Sequence, residues 1–196
     1  MTPSLRLLVL AAAATVCSSG EPTAPLEEPS LEPRWASLGK DCPADAPATV
    51  SEVAAPRQGG VATVDDAWAA IARRVPGGWG GFFYENGWPT IYLVDPARRK
   101  EAISALKAEG IPVTPSTAVK QGRWDFAQLY DWYRWVLPAV WAVEGVSFTD
   151  IQEGRNRLEF GAVDEETRTR LEAALAELDL PCVLVWIEIR GSVVAA

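Results

Sequence analysis

The chain contains no histidine, three cysteines and one methionine among 196 residues. Without histidine, neither a Ser-His-Asp nor a Cys-His nucleophile system can be assembled, and the usual base that works near neutral pH is missing. A zinc site would have to be built from the cysteines and carboxylates alone. Long basic runs are also absent, and the formal net charge is −8. That excludes the clustered Lys and Arg on which nucleic-acid binding rests, and it disfavours an anionic membrane face. Cofactor motifs are lacking too. "GGWGG" (77–81) has no Lys-Ser/Thr ending and follows a helical pattern, so it reads as a tight turn and not a phosphate loop. No cofactor and no metal are expected.

What is present begins with an export signal. "MTPSLRLLVLAAAATVC" has Arg6 as a short positive region and Leu7 to Val16 as an apolar run too short to span a bilayer. Cys17 then stands where a bacterial lipoprotein carries its lipidated cysteine. The residue before it is Val16, however, where Gly, Ala or Ser is usual, so a lipid anchor and ordinary cleavage with secretion both stay open. Residues 18–60 hold seven prolines among acidic and small residues, with no apolar period. They read as a disordered, extended tether. Loss or modification of Cys17 leaves Cys42 and Cys182 as an even pair in an oxidising compartment. A bridge between them would close a loop of about 140 residues and stabilise the fold by roughly 4–5 kcal/mol in the chain-entropy treatment. The expected location is the periplasm, the outer membrane or the exterior of a bacterium.

Residues 61–191 read as a duplicated α+β domain, followed by a short tail at 192–196. "VDPARRKEAISALKAEGIP" (94–112) and "VDEETRTRLEAALAELDLP" (163–181) align without a gap and share six identities: Val94/Val163, Asp95/Asp164, Arg99/Arg168, Ala105/Ala174, Leu106/Leu175 and Pro112/Pro181. About one is expected from ordinary composition. Asp65, Asp95, Asp125 and Asp164 fit as helix N-caps, and Pro138 should end or kink its helix. Asn86-Gly87 is the strongest short hairpin signal. Each half therefore reads helix-strand-strand-helix-strand, with third strands near 113–119 and 182–189. Together the halves are expected to form one mixed sheet of about six strands covered by helices.

"FTDIQEGRNRLEFG" (148–161) carries Asp150, Glu153, Glu159, Arg155 and Arg157. Its alternation predicts a hairpin with Val146, Phe148, Leu158 and Phe160 inward and Glu153 to Asn156 at the tip. Like-sign crowding is not evident along the segment, so strong pKa tuning is not expected. A calcium loop through Asp150, Gln152 and Glu153 lacks the required glycine-punctuated spacing. Nine tryptophans are many for this length. Trp68 and Trp186 fit core faces. Trp132 and Trp135 fall off the line of Phe126, Leu129, Tyr133 and Val136. With Trp141 they form either an exposed aromatic patch for protein or sugar or one side of a helix buried on two sides.

The phrase from Phe148 to Pro181, with the upstream "ARRVPGGWGGFF" and "PTIYLVDP", resembles the pro-region-like segment that precedes trypsin-like serine peptidase domains in some secreted bacterial proteins. The resemblance spans roughly residues 62–191 and contains no catalytic residue. It implies a standalone relative of such a module, an inhibitor or folding helper that clasps an envelope protease through a sheet edge. The expected function is non-catalytic protein binding, with Trp132, Trp135, Trp141 and Arg155 as candidate partner contacts. Carbohydrate or peptidoglycan binding through surface tryptophans is the alternative. A carboxylate-based hydrolase is the weaker one, because no spacing points to a working acid pair.

Overall fold

A computed structural model describes residues 63–178 and 180–191. The expected export signal with Cys17, the tether with Cys42 and the tail at 192–196 lie outside the described residues. Thr63 opens the first helix, α1 (Val64–Ala72). Its hydroxyl accepts from the Asp66 amide at 3.2 Å, while the Asp66 carboxylate accepts from the Thr63 amide at 2.7 Å. The sequence placed this cap at Asp65. The cap is Thr63, because a reciprocal box needs an acceptor three residues on, which Asp66 supplies.

Strands β1 (Trp79–Glu85) and β2 (Trp88–Leu93) pair antiparallel around Asn86 and Gly87, whose φ values of 50° and 81° make a type I′ turn. Asp95 caps a 3-10 turn with Pro96 at its first position, and this runs into α2 (Arg99–Ala108). The chain returns as β3 (Ala118–Gln121), parallel to β2. In the second half α3 (Phe126–Trp141) is capped by Asp125 and boxed by Gln128. Strand β4 (Val146–Gln152), a 3-10 turn at Glu153–Arg155 and β5 (Arg157–Ala162) form the second hairpin. Asp164 caps α4 (Glu165–Ala176), and β6 (Val185–Ile189) lies parallel to β5.

Both third strands start later than expected. Thr117 donates its amide to the Thr114 carbonyl at 3.0 Å, and Leu184 donates to Pro181 at 2.9 Å, so local turns consume the residues ahead of each strand. Pro138 neither ends nor breaks α3. The missing N–H removes one backbone bond, and the helix continues through it to Trp141 with Val136 and Val140 fully buried on either side.

The fold is α+β, and its two halves share one element order and one strand order, β1-β2-β3 and β4-β5-β6. Their backbone bonds also correspond. Val94 donates to Gly78 at 2.9 Å as Val163 donates to Gly145 at 3.1 Å, and Gly122 donates to Leu93 at 2.8 Å as Arg190 donates to Ala162 at 2.9 Å. Gly78 and Gly145 hold positive φ of 67° and 93°, so each half uses glycine at the same turn. The expected single six-stranded sheet does not form. Instead there are two three-stranded mixed sheets. The β1 edge near Gly80 and Gly81 is met by the turn after β4 and by Asn156 in place of another strand.

Helix α3 sits between α1 and α4 and touches both sheets. It therefore buries Phe126, Ala127, Leu129, Trp132, Val136 and Val140, a broader stripe than one packed face requires. Trp68, Trp79 and Phe126 form an aromatic cluster with ring centroids 5.2–6.1 Å apart, joining α1, β1 and α3. Cys182 is fully buried.

Candidate functional site

The β4–β5 hairpin closes on Asn156, which adopts φ 52°. Asparagine tolerates this left-handed conformation better than other residues with a Cβ. The side chain is buried and uses every hydrogen-bonding position facing it. Its Oδ1 accepts from the Arg123 and Trp124 amides, both at 2.9 Å, and its Nδ2 donates to the Trp124 carbonyl at 2.8 Å and the Gly80 carbonyl at 3.3 Å. One amide thus ties the tip of the second half to β1 and to the linker between the halves. Tyr92 of β2 adds a bond from its hydroxyl to the Gly154 carbonyl at 3.3 Å.

Glu153 enters the same seam. A Cβ at Gly81 would come within 2.8–2.9 Å of the Glu153 Cγ and Cβ, so the glutamate stem lies directly on the β1 backbone. Burial pushes the Glu153 carboxyl up to about 7, with the negative charges of Asp150 and Asp65 adding to the rise. Asp65 is itself raised, by burial first and then by Asp150 and Asp66, and Asp150 is raised by partial loss of solvent. Asp66 goes the other way, to about 2, because the Tyr130 hydroxyl and Thr63 donate to its carboxylate. The expectation of no strong pKa tuning is therefore overturned, mainly by burial and in smaller part by like charge. Asp65 lies 88 positions before Glu153 in the chain, and only the docking of the halves brings them together. Among the described residues no group of acidic or cysteine side chains has the geometry to hold a metal ion.

Beside this seam a shallow hollow of about 390 Å³ is lined by Phe83, Tyr84, Glu85, Gln152, Gly154 and Arg155. Its chemistry is mixed. Glu85 is paired with Lys120 Nζ at 2.5 Å. Gln152 donates to Glu159 at 2.9 Å and accepts from the Gly154 amide at 3.3 Å. Arg155, a candidate from sequence, is exposed with its guanidinium 4.0 Å from the Trp186 ring centroid. The adjoining hairpin tip presents Tyr84 and Trp88, which are 65% and 70% exposed.

The tryptophans named from sequence divide. Trp132 is 3% exposed and makes an edge contact with Trp135 at 5.5 Å, and Trp135 is half-buried against the core. Trp132 is therefore a core residue and not a partner contact, since a helix flanked by two others must be apolar on two sides. Trp141 is 55% exposed, near the C-terminus of α3 and on its own. Sequence reasoning missed Tyr84 and Trp88. The signal was available, because both flank the Asn-Gly turn it identified.

Two inward assignments were also wrong. A bulge between Val146 and Phe148 shifts the register, so that Val146 pairs with Ala162 but Phe148 pairs with Gly161. The extra residue flips the side-chain parity. Phe148 consequently lies on the face away from α3, where a Cβ at Gly161 would fall 2.1 Å from its ring. Trp186 alternates with buried Val185 and Ile187, so it too faces away from the core side.

The fold and site together define an α+β domain of two halves with like strand order, with an aromatic hairpin and a shallow hollow at their seam. No known family, curated protein or solved structure matches the chain.

Proposed function

We propose that this chain is a non-catalytic, exported protein-binding module of the cell envelope. The observation that carries this reading is the β1–β2 hairpin tip, where Tyr84 and Trp88 stand 65% and 70% exposed on a rigid type I′ turn. Aromatic anchors on a preorganised element lose little conformational entropy on binding and are the side chains most enriched at interface hot spots. Trp141 and Arg155 remain partner-contact candidates at the surface. The signal-like N-terminus, the proline-rich tether, a bridge from Cys182 to Cys42 and an anchor at Cys17 belong to the same reading, as does kinship with peptidase pro-regions, whose partner would be an envelope protease.

The test is affinity capture from envelope extract with the mature protein and with a Tyr84→Ala/Trp88→Ala double variant. A discrete protein retained by the first and lost with the second supports the reading. Equal retention by both, or no retained protein, overturns it. Carbohydrate binding is favoured by one observation, the exposed Tyr84 ring at the rim of a hollow that also offers Arg155. Saturable quenching of intrinsic fluorescence by soluble cell-wall glycan fragments would select that alternative.

A further inference from the structure

The turn and one proline fix the direction of the β1 backbone at the hollow. A two-residue type I′ loop places its flanking residues, Glu85 and Trp88, in a hydrogen-bonded pair. Antiparallel pairs alternate, so Tyr84 and Pro89 form a non-hydrogen-bonded pair, Phe83 and Thr90 a bonded one, and Phe82 and Ile91 again a non-bonded one. Pro89 has no N–H to give, which fits only the non-bonded position. In such a pair both the N–H and the C=O of each residue point away from the partner strand. The Tyr84 amide and carbonyl are thus directed outward from β1, which is the edge strand of its sheet.

Further along that edge the Gly80 carbonyl is already used. It accepts from Asn156, and the Glu153 stem packs on Gly81. The second half therefore caps one end of the β1 edge. At the other end the hollow begins, with Phe83, Tyr84 and Glu85 as one wall and Gln152, Gly154 and Arg155 as the other. Of its two charged lining residues, Glu85 is paired with Lys120, while Arg155 lies over Trp186 and makes no contact ion pair among the described residues, its charge helping to lower the Glu188 carboxyl from a distance.

From this we infer that the hollow is a strand-addition slot: a short extended peptide segment pairs its backbone with the Tyr84 N–H and C=O, and a carboxylate side chain of that segment meets Arg155. Main-chain bonds to a sheet edge supply affinity, and the flanking side chain supplies selectivity. The inference rests on the protein-binding reading and names the site and the partner chemistry for it.

The probe is a set of acetylated, amidated hexapeptides of alternating Thr and Val with Asp, Asn or Lys at one central position, titrated into the isotope-labelled mature protein. In the free protein the Tyr84 amide should exchange with solvent at least tenfold faster than the Phe83 and Glu85 amides. The Asp peptide should slow Tyr84 exchange about tenfold and bind more tightly than the Lys peptide by about tenfold. Arg155→Ala should erase that preference while leaving backbone protection in place, and N-methylation of the central peptide residue should abolish binding. A Tyr84 amide as protected as its neighbours in the free protein overturns the slot, as does a peptide set that leaves Tyr84 exchange unchanged up to millimolar concentration. If the double variant loses a captured envelope protein while Tyr84 exchange stays indifferent to peptides, the protein-binding reading stands and the slot fails. Protection by peptides without any captured protein sustains the slot and removes the reading.

Discussion

Replacing Glu153 by Gln should remove a pH dependence of stability that the wild-type protein carries between about pH 5 and 8. Burial beside Gly81, with Asp150 and Asp65 close by, raises this carboxyl from 4.5 to about 7 in the folded state. The unfolded chain holds Glu at its ordinary value. Between those two pH values the folded state binds more protons than the unfolded one, so unfolding free energy falls as pH rises. The contribution is fully present below the unfolded pKa and is lost as pH climbs through the folded one. The full shift would correspond to about 3 kcal/mol. The side chain keeps some solvent contact, so screening reduces this to ~1–2 kcal/mol. The chain has no histidine, which leaves this pH window free of the residue that most often dominates it. Urea denaturation of the mature protein and of Glu153→Gln at pH 5, 6, 7 and 8 reads the effect directly. Wild type should lose ~1–2 kcal/mol more than the variant across the series, and the variant should exceed wild type at pH 8. Parallel curves for the two proteins would refute the reasoning, because they would mean the carboxylate reaches water on folding.

Asn156→Gly keeps the left-handed backbone available but deletes four hydrogen bonds to Gly80, Arg123 and Trp124; it should cost about 3 kcal/mol in urea denaturation, since buried partners are left unsatisfied. Trp132→Ala should cost about 3–5 kcal/mol as a core truncation, whereas exposed Trp141→Ala should change stability by less than about 0.5 kcal/mol. Gly81→Ala combines φ +126° with a collision against the Glu153 stem, and a loss of about 2 kcal/mol or more is expected in the same assay.

The scaffold was legible in the sequence because its signals are local. Asp95, Asp125 and Asp164 cap helices as read, Asn86-Gly87 makes the hairpin, and the repeat spanning 94–112 and 163–181 marks two halves of one design. What stayed hidden depends on long-range approach or on one-residue shifts. The bulge that turns Phe148 outward has no signature in an alternating pattern. Trp132 was ambiguous because a single helical wheel cannot tell an exposed second stripe from one covered by α1 and α4. The raised Glu153 carboxyl was missed because its burial against Gly81, and the smaller effect of Asp65, arise only when the two halves dock.

That docking also explains why the candidate site is single although the scaffold is double. The two hairpins are equivalent in topology, yet their tips differ. Asn86-Gly87 is a tight two-residue loop, and nothing lies within 4 Å of a Cβ at Gly87. The second tip spans Glu153 to Asn156 and carries an amide able to make four bonds and a carboxylate stem that lies on Gly81. The longer tip can therefore reach across and lock onto the partner half, while the shorter one keeps Tyr84 and Trp88 at the surface. Two residues of extra loop thus separate the roles of two halves with one strand order. One tip closes the seam and the other stays exposed, and the hollow lies beside the closing tip.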